Sequence, residues 1–152
     1  MTLKPGDKIP LFTLPDQNGK NFSIGSLLSK KAFVIYFYPK DETVGCTKQA
    51  CAFRDHYQDF LDAGAEVIGI SSDSEESHVS FAGHHNLPFI LLSDKGSLLR
   101  KQFGVPTDLL GLLPGRVTYI VNKQGVIEYI FNSQIRIKKH ITEALRILKE
   151  LN

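Results

Sequence analysis

A continuous apolar run at residues 32–38 (Ala-Phe-Val-Ile-Tyr-Phe-Tyr) constrains the fold of this chain more than any other feature of its sequence. Such a run is typical of a strand buried on both faces, because a half-exposed strand alternates apolar and polar side chains. The run is far too short to cross a membrane, which takes about 20 apolar residues in a helix. It therefore predicts a central strand whose sheet is covered on both sides.

Strand-like and helix-like patterns alternate along the rest of the chain. Strand patterns occupy residues 66–71, 89–92, 117–121 and 126–131, and two shorter ones at 12–14 and 22–24 flank a turn-like Asp-Gln-Asn-Gly. Helix patterns occupy residues 46–63 and 96–103, a segment that ends near His85, and a C-terminal stretch with apolar residues at 141, 144, 145, 148 and 151. Asp73 or Ser74 is expected to cap the helix that ends near His85, since both side chains accept hydrogen bonds from backbone N–H groups.

This order of elements predicts an α/β fold. We expect a central mixed sheet with helices on both faces and a small N-terminal hairpin. The length of 152 residues favours one domain, 1–152, with a core large enough to form without a disulfide or a metal. Sites in α/β proteins usually lie at the C-terminal ends of strands, and Cys46 follows the first central strand closely.

The composition excludes several classes of function. The net charge is only +2, and the basic residues are scattered among acidic ones. This balance argues against a partner that is nucleic acid or an acidic membrane surface. The N-terminus has no apolar segment of the kind found in secretory signals, so we expect a reducing compartment, in which a close pair of cysteines is rarely a permanent disulfide.

Cys46 is the first candidate for chemistry. It lies where a loop meets the predicted helix, and the free N–H groups of a helix N-terminus stabilise a thiolate. The preceding Thr43-Val44-Gly45 is turn-like, and Gly45 allows a ligand to approach the backbone closely. A nucleophilic thiol is therefore favoured over the alternative, a small buried cysteine in the core of a helix.

Cys51, five positions later, is open to three interpretations. In a regular helix this spacing puts the two Cα atoms roughly 8 to 9 Å apart, whereas a disulfide needs them within about 7 Å. Cys51 is therefore a resolving thiol that requires local unwinding, a residue of the helix core, or a metal ligand together with Cys46 and His56. The metal interpretation is weak, because structural zinc sites usually have four ligands.

These residues resemble a known family. Pro39-x-x-x-Thr43-x-x-Cys46 is similar to the active-site motif of the peroxiredoxins, which are thiol peroxidases with a thioredoxin-like fold. The Cys-x-x-x-x-Cys pair, followed by Ala-Phe-Arg-Asp, resembles the Q-type branch, also called bacterioferritin comigratory proteins. The resemblance covers nearly the whole chain, and residues 104–119 are especially similar to plant-plastid and cyanobacterial members.

The resemblance implies a role for each residue of the motif. Cys46 would be the peroxidatic cysteine that becomes a sulfenic acid, and Cys51 would resolve it to an intramolecular disulfide after local unwinding. Thr43 would hold the peroxide and the thiolate through its hydroxyl. Arg116 would supply the cation, and Pro39 would shield the site from water.

The function implied is a two-cysteine peroxidase that reduces hydrogen peroxide and organic hydroperoxides. Its reductant would be thioredoxin or a similar dithiol protein, it would act as a monomer, and it would need no cofactor and no metal. It would work in the cytoplasm of a bacterium or cyanobacterium or, if a transit peptide has been removed, in the plastid stroma. The alternatives are a general thiol-disulfide oxidoreductase, which the missing Cys-x-x-Cys disfavours, and a non-catalytic thiol- or metal-binding module.

One residue departs from the family pattern, and several others have two interpretations. Val44 stands where members of the family often have proline, which predicts a less rigid loop with an altered rate or oxidation sensitivity. Arg54 is expected to pair with Asp55 or Asp59 rather than to serve the site. The dispersed histidines are expected to be solvated: His78, His84, His85 and His140. The apolar segment 109–113 is either a short helix packed on the core or an apolar rim that accepts lipid peroxides or docks a reductant.

Overall fold

The computed structural model describes residues 2–108 and 113–151, apart from the side chains of Asp108 and Leu113. The apolar segment 109–113 therefore lies outside the described residues, except for the backbone of Leu113. The strands are β1 (Thr13–Pro15), β2 (Asn21–Ser23), β3 (Ala32–Phe37), β4 (Ala65–Ser71), β5 (Ile90–Ser93), β6 (Thr107–Asp108), β7 (Leu113–Pro114), β8 (Val117–Val121) and β9 (Ile127–Asn132). The α-helices are α1 (Val44–Asp55), α2 (Tyr57–Asp62), α3 (Glu75–His85), α4 (Leu98–Phe103) and α5 (Ile137–Leu151).

The central sheet is mixed and has the order β5-β4-β3-β8-β9. Strands β3, β4 and β5 are parallel, β8 is antiparallel to β3, and β9 is antiparallel to β8. All six residues of β3 are buried, as the apolar run predicts for a central strand. β1 and β2 form the small N-terminal hairpin, so the predicted α/β architecture is confirmed.

Two apolar layers cover the sheet, because successive side chains of β3 point to opposite faces. Val34 and Tyr36 pack in one layer with residues of α1, α2, α3 and α5. Phe33, Ile35 and Phe37 pack in the other layer with α4 and the N-terminal segment. Cys46 belongs to the first layer and therefore lies on the face of the sheet that is covered by four of the five described α-helices.

The prediction of one helix over residues 46–63 was wrong in detail. The helical path is interrupted at His56, which has φ −107° and ψ 10°, and α2 starts at Tyr57 after it. The apolar spacing of Ala50, Phe53, Tyr57 and Phe60 continues across the break, so periodicity alone cannot reveal it.

Two histidines that were expected to be solvated are buried, and that prediction was wrong for them. His78 contacts the carboxylate of Asp41 and the carbonyl of Leu92, and His140 contacts the hydroxyl of Thr118 and the carbonyl of Ser133. Each ring has polar partners for both nitrogens, which is the condition under which a polar group is buried without a large loss of stability. Within residues 2–108 and 113–151, no helix combines the length and apolar character needed to span a bilayer.

Candidate active site

Cys46 lies in the first turn of α1, directly beyond the C-terminal end of β3. Only 1% of its surface is exposed, and it packs in the apolar layer that also contains Tyr36, Phe53 and Ile141. Burial among apolar side chains disfavours a charged thiolate, so its formation needs compensating hydrogen-bond donors and positive charge nearby. The start of α1 and an arginine provide both.

Thr43 is the residue that precedes α1, and its side chain does not cap the helix. Its hydroxyl donates a hydrogen bond of 2.8 Å to the carbonyl of Lys40 instead, and the first turn of α1 contains no acidic residue. The helix N-terminus therefore presents its N–H groups and its positive dipole end to an anion rather than to its own side chains. A thiolate at Cys46, as the sequence predicts, would be such an anion.

Arg116 reaches this helix start because β3 and β8 are antiparallel. Phe37 and Val117 are the last pair of their ladder. Arg116, directly before Val117, therefore lies next to the point where the loop toward Cys46 leaves β3. The side chain of Arg116 is only 5% exposed, which excludes the alternative of a surface cation. Its Nη2 lies 2.9 Å from the position that a Cβ on Gly45 would occupy, so only glycine permits this approach.

Gln49, one turn after Cys46, holds the guanidinium of Arg116. Nη1 of Arg116 donates a 2.7 Å hydrogen bond to Oε1 of Gln49, and both side chains are buried. Nε of Arg116 and Nε2 of Gln49 are also buried and have no acceptor among the described residues. Unpartnered buried donors of this kind are suited to an oxygen atom as acceptor. Sequence analysis missed Gln49, which looks like any polar residue of a helix.

Cys51 is half-buried in the same continuous helix as Cys46, and both thiols are free. The structure thus brings Cys46, Thr43 and Arg116 into one region but leaves Cys51 outside bonding range for a regular helix. Pro39 is half-buried at the start of the loop that leads to Cys46.

Arg54 is paired away from the site, as expected. Its guanidinium contacts the carboxylate of Asp55 at 3.0 Å and donates a 2.7 Å hydrogen bond to the carbonyl of His85.

A buried polar network ties the loop before Cys46 to α3, and sequence analysis missed it. Asp41 accepts hydrogen bonds from Tyr38 Oη at 2.6 Å and from Ser77 Oγ at 2.8 Å, and His78 Nδ1 lies 2.7 Å from the same carboxylate. Burial raises the pKa of Tyr38 well above its ordinary value, so the phenol stays a donor. Asp41 sits between Lys40 and Glu42, a polar setting that resembles a solvated loop.

A metal site built on the cysteines finds no support among the residues described. The one group of described His, Cys, Asp and Glu side chains close enough to share an ion is Asp41, Asp73 and His78. It includes neither cysteine nor His56, whose ring lies 3.0 Å from Asp59.

Comparisons with known proteins agree with this geometry. The AhpC/TSA family model matches residues 5–130. The chain is 56% identical over 146 residues to the chloroplastic peroxiredoxin Q of Sedum lineare, covering 96% of this chain and 78% of that protein.

Solved structures also match over almost their whole length. Peroxidoxin BcpB from Mycobacterium tuberculosis has a TM-score of 0.91 and 35% identity, covering 99% of both chains. The bacterioferritin comigratory protein of Xanthomonas campestris, whose structures address its alkyl peroxide reduction activity, has a TM-score of 0.84 and 27% identity, covering 95% of this chain and 99% of that one. The thioredoxin-like fold implied by the motif is thereby confirmed, and the chain belongs to the Q-type peroxiredoxins of the AhpC/TSA family, which are thiol peroxidases.

Proposed function

We propose that Cys46 is the peroxidatic cysteine of this thiol peroxidase and that hydrogen peroxide and organic hydroperoxides are its substrates. The observation that carries the proposal is the position of Cys46 in the uncapped first turn of α1, with the buried guanidinium of Arg116 against Gly45. A helix N-terminus and a fixed cation are the two groups that favour a thiolate in an apolar setting.

The first step is attack of the Cys46 thiolate on one peroxide oxygen. The S–O bond forms as the O–O bond breaks, and the leaving oxygen departs with the electron pair and takes a proton from solvent. The products are Cys46 sulfenic acid and water, or an alcohol from an organic hydroperoxide. Buried donors on Arg116 and Gln49 are suited to the negative charge that develops on the leaving oxygen.

Thr43 and Pro39 have supporting roles in this proposal. The Thr43 hydroxyl donates a hydrogen bond to the Lys40 carbonyl, so the lone pairs of its oxygen are left to accept a hydrogen bond from the O–H of the peroxide. Pro39 has no backbone N–H and limits the entry of water at the base of the loop.

Cys51 completes the cycle as the resolving cysteine. Its thiol condenses with the sulfenic acid to give an intramolecular disulfide and water, and a thioredoxin-type dithiol reduces this disulfide by exchange. Because both cysteines lie in one regular helix, the first turns of α1 must unwind before the bond can form. A cycle completed within one chain is consistent with a monomer that acts in a bacterial cytoplasm or in the plastid stroma.

The test is peroxide-dependent oxidation of reduced thioredoxin by the wild-type chain and by Cys46→Ser. We expect the variant to lose at least about a thousandfold in rate, because its hydroxyl is a far weaker nucleophile than a thiolate. A general oxidoreductase would instead reduce protein disulfides without peroxide, and a binding module would do neither. After one equivalent of peroxide, mass spectrometry should find Cys46 joined to Cys51 with the loss of two hydrogens.

A further inference from the structure

Arg100 is a second buried arginine near the site, and it approaches from the opposite face of the sheet. It lies on α4, which packs in the layer of Phe37, and only 7% of its surface is exposed. Its Cζ lies 5.5 Å from the centroid of the Phe37 ring, and no part of its sequence context marks it as special.

The guanidinium of Arg100 joins the two chain segments that carry the site. Its Nη2 donates a 2.9 Å hydrogen bond to the carbonyl of Tyr38, which begins the loop toward Cys46. Its Nη1 donates a 2.8 Å hydrogen bond to the carbonyl of Gly115, the residue directly before Arg116.

The two hydrogen bonds of Arg100 lie just beyond the end of the backbone ladder between β3 and β8. Phe37 and Val117 are the last paired residues of that ladder, so Tyr38 and Gly115 lie beyond it. Arg100 supplies the cross-connection that the strands no longer make. The backbone of Pro106 packs closely against Gly115, so closely that a Cβ at position 115 would overlap the carbonyl oxygen of Pro106.

Among the described side chains, no carboxylate forms an ion pair with Arg100. The two carboxylate oxygens of Asp94 accept the backbone N–H groups of Leu99 and Arg100 at 2.9 Å each. Burial lowers the pKa of Arg100, an effect that the charges of Asp94, Tyr119 and Cys46 oppose, and a guanidinium stays protonated at any physiological pH.

We propose that Arg100 is a positioning residue for the peroxidase reaction: it fixes the loop of Cys46 relative to Arg116 and places a second buried cation against the start of that loop. This inference rests on the proposed role of Cys46. It assigns a function to a residue of α4 that touches neither the substrate nor the reacting atoms.

The test compares Arg100→Lys and Arg100→Met in a Cys51→Ser background, so that Cys46 is the only thiol. Three quantities are measured: the rate of Cys46 oxidation by peroxide, the pH profile of Cys46 alkylation by iodoacetamide without peroxide, and the melting temperature. Lys101→Met is the matched control, because it removes an exposed positive charge from the next position of the same helix.

We expect Arg100→Lys to lose on the order of tenfold in oxidation rate, because one ammonium group cannot hold both carbonyls in the geometry of a guanidinium. Its alkylation profile should stay close to that of the parent, since the charge is kept. Arg100→Met should lose on the order of a hundredfold and should shift its alkylation profile to higher pH. Lys101→Met should change neither quantity.

Two results would overturn the proposal. One is a folded Arg100→Met whose oxidation rate and alkylation profile match the parent within about twofold. The other, if Arg100→Met fails to fold, is a folded Arg100→Lys with the parent's oxidation rate. Because alkylation needs no peroxide, an effect of Arg100 on the thiol remains measurable even if the chain reduces no peroxide, and the two failures are distinguishable.

Discussion

Helices α1 and α3 are similar in length, with 12 and 11 residues, and pack on the same face of the sheet, but their first turns differ. The hydroxyl oxygen of Ser74 accepts a hydrogen bond from a backbone N–H of α3, and Glu75 and Glu76 add negative charge in its first turn. The hydroxyl of Thr43 turns away from α1 to the carbonyl of Lys40. The N-terminus of α3 is thus satisfied by its own sequence, whereas that of α1 is left to an external or reactive anion.

The C-terminal end of α3 contacts the residues on both flanks of the two cysteines in α1. The rings of His84 and His85 lie 2.6 and 2.9 Å from the carboxylate of Glu42, and these hydrogen bonds keep the pKa of Glu42 below its usual range. Arg54, beyond the second cysteine, donates to the carbonyl of His85. In the proposed cycle, α3 is therefore a fixed support, and α1 contains the turns that would open between two anchored ends.

The strongest test of this difference is Cys51→Ser, which removes the thiol proposed to form a disulfide with Cys46 once α1 has opened. Thioredoxin-linked turnover should fall at least about a hundredfold, because the sulfenic acid no longer has an intramolecular thiol. Mass spectrometry after one equivalent of peroxide should find an added oxygen instead of the loss of two hydrogens. Ser80→Ala, on the exposed side of α3, is the control, and wild-type turnover in Cys51→Ser would refute the resolving role.

Acid pH tests the buried histidines that stand beside the two helices. His78 on α3 faces the carboxylate of Asp41, whereas the ring nitrogens of His140 on α5, which packs against α1, face a hydroxyl and a carbonyl, and the positive charge of Arg116 also disfavours its protonation. Burial therefore lowers the pKa of His140 from 6.5 to about 4. The unfolded chain binds a proton at this residue below about pH 6.5 and the folded chain does not, so stability is lost as the pH falls toward 4.

The expected loss from His140 is about 3 kcal/mol between neutral pH and pH 4. Urea unfolding at a series of pH values measures it. His140→Gln should flatten this part of the pH dependence, and His84→Gln, a change at an exposed ring, should leave it in place. Equal slopes in wild type and His140→Gln would contradict the assignment.

Alanine at the residues that precede α1 and α3, Thr43 and Ser74, should affect two different properties. Ser74→Ala should lower the free energy of unfolding by about 1 kcal/mol, because it removes a real cap, and should leave Cys46 oxidation unchanged. Thr43→Ala should slow Cys46 oxidation on the order of tenfold, the loss expected for one hydrogen bond near a charge, with little change in stability. Urea unfolding and stopped-flow oxidation measure the two effects, and a stability loss of the same size in both variants would break the comparison.

Val44→Pro should have the smallest effect. Val44 is the first residue of α1 and is 74% exposed, and Thr43 before it has ψ 155°, a conformation that a following proline accepts. Proline should restrict the unwound segment, stabilise α1 by about 0.5 kcal/mol and slow disulfide formation about twofold. Quenched-flow alkylation after peroxide measures the rate, Val44→Ala is the control, and identical kinetics in all three chains would remove the idea.

Local patterns predicted most of the elements but not their interruptions. The apolar run placed β3 to within one residue, and the N-terminal hairpin and the cap of α3 were predicted from side chains that act within a few positions. The break at His56 was missed because the apolar spacing continues across the interruption. β6 and β7 were missed because two-residue strands carry no period.

The amino-acid sequence by itself determined the strand and helix order, the position of Cys46 at a helix start, and a cysteine spacing that excludes a disulfide in a regular helix. Motif resemblance added the family. Only the tertiary structure decided which distant side chains serve the site. Arg116 reaches Gln49 of α1 through the antiparallel pairing of β3 and β8, and Arg100 binds the carbonyls of Tyr38 and Gly115 from the opposite face of the sheet. The physical reason is that burial and charge pairing depend on partners supplied by other elements, and no local pattern in the chain encodes them.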